Sequence, residues 1–173
     1  MSENFEKVIA AINYLGLKPN IWEYKWRFLI QKITYLAQTL GISTDYDYTP
    51  YIAGPYSPAL TRDYFNQSEA LTSLQSSYEL TDSDIRHLNI IREFIDLEGN
   101  LSLLETTSAI VYIMNDELES DDDEIFIRSK VLKPHISETL LIIGMTKAKQ
   151  LLFKEEYLTE ELKAEMDAWE KLE

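Results

Sequence analysis

The chain has 173 residues, two histidines, His87 and His135, and no cysteine. The histidines fall on different elements without ligand-like partner spacing, whereas zinc sites gather their ligands, so ordinary surface roles are expected. Without cysteine there are no disulfides, thiolate metal sites or cysteine nucleophiles. The run Asp116, Glu117, Glu119, Asp121, Asp122, Asp123, Glu124 is dense enough in carboxylates to raise a divalent cation. An EF-hand loop, however, needs alternating oxygen ligands, a central glycine and a closing glutamate, and this run has no glycine. Acids at a helix start are also favoured by the helix dipole, and the run reads as a solvated loop and cap. No phosphate-cradling glycine loop, GxSxG elbow or HExxH pair occurs. Glu105, Thr107 and Ser108 are placed to line a cleft, yet hydroxyls on a helix usually bond locally. The expectation is a protein without catalytic residues, metal or cofactor.

Recognition chemistry is richer. Tyr46, Tyr48, Tyr51 and Tyr56 cluster around YIAGPYSPAL, with Trp22 and Trp26 upstream and Arg62 just beyond. Aromatic residues with polar tips bury much area at low entropic cost and favour protein interfaces. These seven residues are the candidate partner-binding set; the competing reading is that single rings fill a core beneath a rigid corner. Sixteen Lys+Arg against thirty Asp+Glu leave a net charge of −14. A surface that binds duplex DNA gains by releasing counterions through a basic patch, and no such cluster is present, so direct nucleic-acid binding is disfavoured. The run Asp45, Tyr46, Asp47, Tyr48 suits a basic protein partner.

The elements that must position these residues are mostly α-helical, six to seven of them in one domain, with a core spanning about residues 5–153. Ser2 caps a first helix carrying Phe5, Val8, Ile9, Ile12 and Leu15. Pro19 starts a second, in which Trp22, Trp26, Leu29, Ile33, Leu36 and Leu40 form one apolar stripe. Alternation through DYDYTPYI predicts a short strand or hairpin around 46–53, with Pro50 at an edge. Gly54 and Pro55 form the turn; Ser57 and Pro58 then read as N-cap and first helical position. The serine-rich stretch from Asn66 reads as a flexible connection. Thr81 or Asp82 opens the next helix. Ser102 with Glu105, and Ser120 with Asp123, have capping-box spacing ahead of two more. Ser137 caps a central apolar helix, and Thr159 begins an amphipathic one over about 159–172. The N-terminal stretch lacks a secretion-signal pattern, and no run approaches the roughly 20 apolar residues that a spanning helix needs. A soluble, cytoplasmic protein is expected.

QKITYLAQTLG followed by YDYTPYIAGPYSPALTRD resembles the signature of the SocA-like Panacea antitoxin domains, most nearly their YwgA-like relatives. The helix match is Gln31, Lys32, Ile33, Tyr35, Leu36 and Gln38. The turn match is Gly54, Pro55, Tyr56, Ser57, Pro58 and Leu60. Roughly residues 25–65 carry specific matches and 101–152 looser ones, LLETTSAIVYIM and Val131–Pro134 among them. Ala53 departs from the pattern, where relatives tend to carry a larger residue. The resemblance implies a non-catalytic helical module of toxin–antitoxin or phage-defence systems that binds and neutralises or regulates a protein partner. Rival readings are a helix-turn-helix-like regulator over residues 82–114, with Arg86 and Arg92 on phosphate, and an acidic DNA mimic. A homodimer through the last helix, with Trp169 exposed, is compatible with each.

Overall fold

A computed structural model describes residues 1–51, 53–153, 164, 165, 167–169, 171 and 172. The protein is mostly helical with one small antiparallel sheet. It divides into two compact units, Met1–Glu93 and Phe94–Glu173.

The N-terminal unit opens with α1, Glu3–Tyr14, where Ser2 accepts from Phe5 N–H at 3.3 Å as its spacing predicts. The long helix α2 runs Tyr24–Leu40. It starts later than Pro19 because Asn20 closes an Asx-type turn first: its side chain accepts from Trp22 N–H and donates to Glu23 Oε1. Trp22 therefore leaves the apolar stripe to which the pattern assigned it. Helix α2 ends at Gly41, with φ +125°. A side chain there would be strained, and a Cβ would stand 2.9 Å from His87 Cε1. His87 is thus half-buried against the end of α2, not on a polar surface.

Strands β1, Thr49–Tyr51, and β2, Gly54–Tyr56, form the hairpin, shifted a few residues beyond the expected 46–53. In register, Pro50 faces Pro55, flanked by Thr49 with Tyr56 and Tyr51 with Gly54. Two prolines offer no N–H to each other, so theirs is the non-hydrogen-bonded pair, and the flanking pairs carry the ladder. Gly54 has φ +96°, the conformation that the turn demands of glycine. Ser57 caps α3, Pro58–Asn66, by accepting from Leu60 N–H, with Pro58 in the first turn.

The serine-rich stretch is folded, contrary to expectation. It contains α4, Ser68–Thr72, and its hydroxyls bond to α1: Ser76 to Glu6 O at 2.8 Å and Ser77 to Glu6 Oε2 at 2.6 Å. Helix α5, Asp82–Phe94, is entered through a reciprocal box between Thr81 and Asp84.

In the C-terminal unit, α6 is Leu101–Asn115, α7 is Asp122–Leu132 and α8 is Glu138–Leu152. Two caps differ from the expected ones. Asn100, not Ser102, caps α6, and Asp121, not Ser120, caps α7. Asn100 precedes Ser102, which lies within the first turn of α6, whereas Asp121 follows Ser120 and stands directly before α7. Ser137 caps α8 as predicted. Helices α6 and α8 pack closely at Gly144, where a Cβ would fall 2.7 Å from Thr106 Cγ2 and 3.0 Å from Ile110 Cδ1. Of the expected last helix, residues 164, 165 and 167–169 are helical and 171 and 172 form a turn, with Trp169 half-buried; its other residues lie outside the described ones.

Candidate functional site

The corner at Gly54–Pro58 is held from below by polar side chains of α2. Gln31 accepts from Ser57 N–H at 2.9 Å and donates to Ser57 O at 2.9 Å and to Thr61 Oγ1 at 3.0 Å. Lys32, only 2% exposed, donates to Pro55 O at 2.8 Å, and its ammonium stands 5.2 Å from the Phe28 ring centre. The non-bonded Pro50–Pro55 pairing turns that carbonyl away from β1, which is where Lys32 meets it. Two turns beyond Gln31, Gln38 accepts from Tyr46 N–H and Thr44 and donates to Tyr46 O. Positions 31 and 38 lie two turns apart on one face, so α2 carries a polar seam that substitutes for neighbouring strands.

Above the seam runs a connected series of rings. Trp22 lies 6.1 Å from Phe65, and Phe65 lies 5.0 Å from Tyr64. The Tyr64 hydroxyl meets Thr61 Oγ1 at 3.2 Å, Tyr56 shares that oxygen at 2.8 Å, and the Tyr56 ring packs 5.3 Å from Tyr51. Burial, more than any other cause, raises the Tyr64 hydroxyl's pKa, so it stays a neutral hydrogen-bonding group. The series ends in solvent at both sides: Trp22 is 75% exposed, Tyr51 58% and Phe65 41%. Tyr24, 64% exposed, lies 6.3 Å from Phe28 and under the Arg27 guanidinium, which is anchored to Ile21 O.

No family model matches the sequence. Nor does a curated protein or a solved structure match it.

The expected partner-binding residues separate into two groups. Trp22 and Tyr51 are exposed rings, Arg62 is exposed on α3, and Trp26 and Tyr56 are half-buried, Trp26 beneath the Lys25 ammonium at 5.2 Å. Tyr46 and Tyr48 point inward. Tyr46 is buried and donates to Asp63 Oδ2 at 2.6 Å; burial first and then this carboxylate raise its pKa. Tyr48 sets its ring edge-on to Tyr35 at 5.0 Å, and its buried hydroxyl has no hydrogen-bond partner among the described residues. The sequence reading passed over Tyr24 and Phe65 as surface rings. Their signal is their place flanking the Asx turn and ending α3, where the apolar stripe runs out.

The acidic run acts structurally where it can be followed. Asp121 caps α7, Glu117 receives a bidentate Arg128 at 3.0 and 3.1 Å, and Asp122 pairs with Lys149 at 2.8 Å. Among the described residues no group of three or more His, Asp or Glu is placed to hold a metal ion. No helix among them is long and apolar enough to cross a membrane. Lys133 is 1% exposed and pairs with Glu105 at 2.9 Å. Burial lowers its pKa, and Glu105 opposes that shift. His135 Nε2 stands 3.5 Å from the same carboxylate oxygen.

Proposed function

We propose that this chain is a non-enzymatic protein–protein interaction module, antitoxin-like or phage-defence-associated, that binds and neutralises or regulates a protein partner. One observation carries this reading. Four large rings, Trp22, Tyr24, Tyr51 and Phe65, are left in solvent on a corner whose backbone is pinned by buried Gln31 and Lys32. Aromatic anchors on a stiff support lose little entropy on docking, which is how interface hot spots gain affinity. The polar groups beneath are occupied with backbone. The resemblance of the helix and turn motifs to Panacea domains supports the antitoxin-like part. A helix-turn-helix reading is disfavoured because Arg92 is engaged by Tyr14, donating to its carbonyl and packing over its ring.

The test co-expresses the chain with the product of the neighbouring gene. Co-purification and relief of that product's toxicity, both lost on combining Trp22→Ala with Tyr24→Ala, are the expected result. A toxic neighbour that the chain neither binds nor relieves overturns the proposal.

A further inference from the structure

The net charge is unevenly placed. Residues 1–93 carry eleven Asp+Glu and eight Lys+Arg, a net −3, whereas residues 94–173 carry nineteen and eight, a net −11. The ring-bearing corner therefore belongs to the nearly neutral unit, and attraction for a cation belongs to the other. Within that unit a cleft of about 230 Å³ lies beside α7 and α8. Its apolar lining is Phe126, Ile142, Met145 and Trp169; its rim carries Asp122, Asp123, Glu165 and Lys149. Small-molecule sites begin at about 300 Å³, so the cleft suits one long side chain better than a whole cofactor.

The rim is unbalanced in a way that selects the occupant. Lys149 is committed to Asp122 at 2.8 Å, whereas Asp123 and Glu165 have no ion-pair partner among the described residues. The lining favours the same sign. The faces of tryptophan and phenylalanine rings attract cations, and Phe126 already carries the Lys130 ammonium 5.5 Å from its ring centre. A flat, weakly hydrated guanidinium can stack on an indole while bonding to a carboxylate, whereas an ammonium stays strongly hydrated.

We infer that the α7–α8 cleft is a binding site for an arginine side chain presented by a basic protein segment, stacked on Trp169 and held by Asp123 and Glu165. The site is independent of the Trp22–Tyr51 face and of the function proposed for it.

The experiment follows the indole N–H signals of Trp22, Trp26 and Trp169 by NMR while N-acetyl-arginine amide is added to the full chain. The Trp169 signal is assigned with Trp169→Phe. The expected result is a saturable shift of the Trp169 signal alone, absent with the citrulline analogue, which has the same shape without the charge. Combining Asp123→Asn with Glu165→Gln weakens binding about tenfold, since each is a solvent-exposed ion pair. Trp22→Ala leaves the titration unchanged, which separates this site from the aromatic face. An unmoved Trp169 signal, an equal response to citrulline, or undiminished binding by the double variant overturns the inference.

Discussion

Gln31 completes the backbone of Ser57 from a neighbouring helix, accepting from its N–H and donating to its C=O, both at 2.9 Å. A side-chain amide does here what a third strand would do in a larger sheet. Gln31→Leu leaves a buried donor and a buried acceptor without partners, at a cost on the order of 3 kcal/mol. Urea unfolding checks this, and an unchanged midpoint for Gln31→Leu would remove the pin from the account.

Lys32→Met keeps the apolar stem and deletes the donor to Pro55 O. The orphaned carbonyl costs about 1–3 kcal/mol. The loss is local to the hairpin, so hydrogen exchange at the Gly54 and Tyr56 amides accelerates more than exchange in the middle of α1. Uniform acceleration would contradict this.

Trp22→Ala and Tyr24→Ala act on recognition and not on folding. Both rings are mostly in water, so each variant unfolds within about 0.5 kcal/mol of the parent. Each weakens partner binding by about tenfold or more, as expected of an aromatic anchor. Calorimetric titration with the co-purified partner separates the two effects.

Lys133 and Glu105 make a buried pair whose halves are unequal. Glu105→Gln removes the carboxylate that balances this buried ammonium and costs about 3 kcal/mol. Lys133→Met in the same chain restores much of that loss, because an apolar pair has no charge to desolvate. A double-mutant cycle by thermal unfolding measures the coupling, and simple additivity would show that the pair does not interact.

Asp84 is buried, which by itself opposes its charge, but the hydrogen bonds from Thr81 and Tyr78 prevail and hold its carboxyl below the ordinary value of 3.8. A lowered folded-state value means that its contribution to stability is complete above 3.8 and disappears as pH falls through the folded value. The stability difference between the parent and Asp84→Asn is therefore larger at about pH 6 than at about pH 3. Unfolding midpoints at the two pH values decide the matter, and a constant difference would refute it.

Much of the fold was legible because local chemistry and tertiary packing agree. Ser2, Ser57 and Ser137 sit where side-chain oxygens complete helix starts, and apolar spacing marks the helices that follow. Failures came where two local signals competed. Pro19 advertised a helix start, but the Asn20 side chain closed a turn first, and that displacement puts Trp22 in solvent. Serines 76 and 77 resemble linker residues until α1 is alongside, since their partner Glu6 lies some seventy positions away. The polar seam was hidden for a related reason: Gln31 and Lys32 on an amphipathic helix look like surface residues, and only the packed corner shows which carbonyls they serve. Tyr46 and Tyr48 share their acidic neighbours with exposed rings, and nothing local distinguishes the inward pair.

The pins under the corner and the rings above it are different residues, so the two can drift separately over generations. A lineage that exchanges Trp22, Tyr24, Tyr51 or Phe65 alters what the protein grips while its foundation stays intact. Such a frame can be re-addressed to a new target by a handful of substitutions, without first having to be rebuilt.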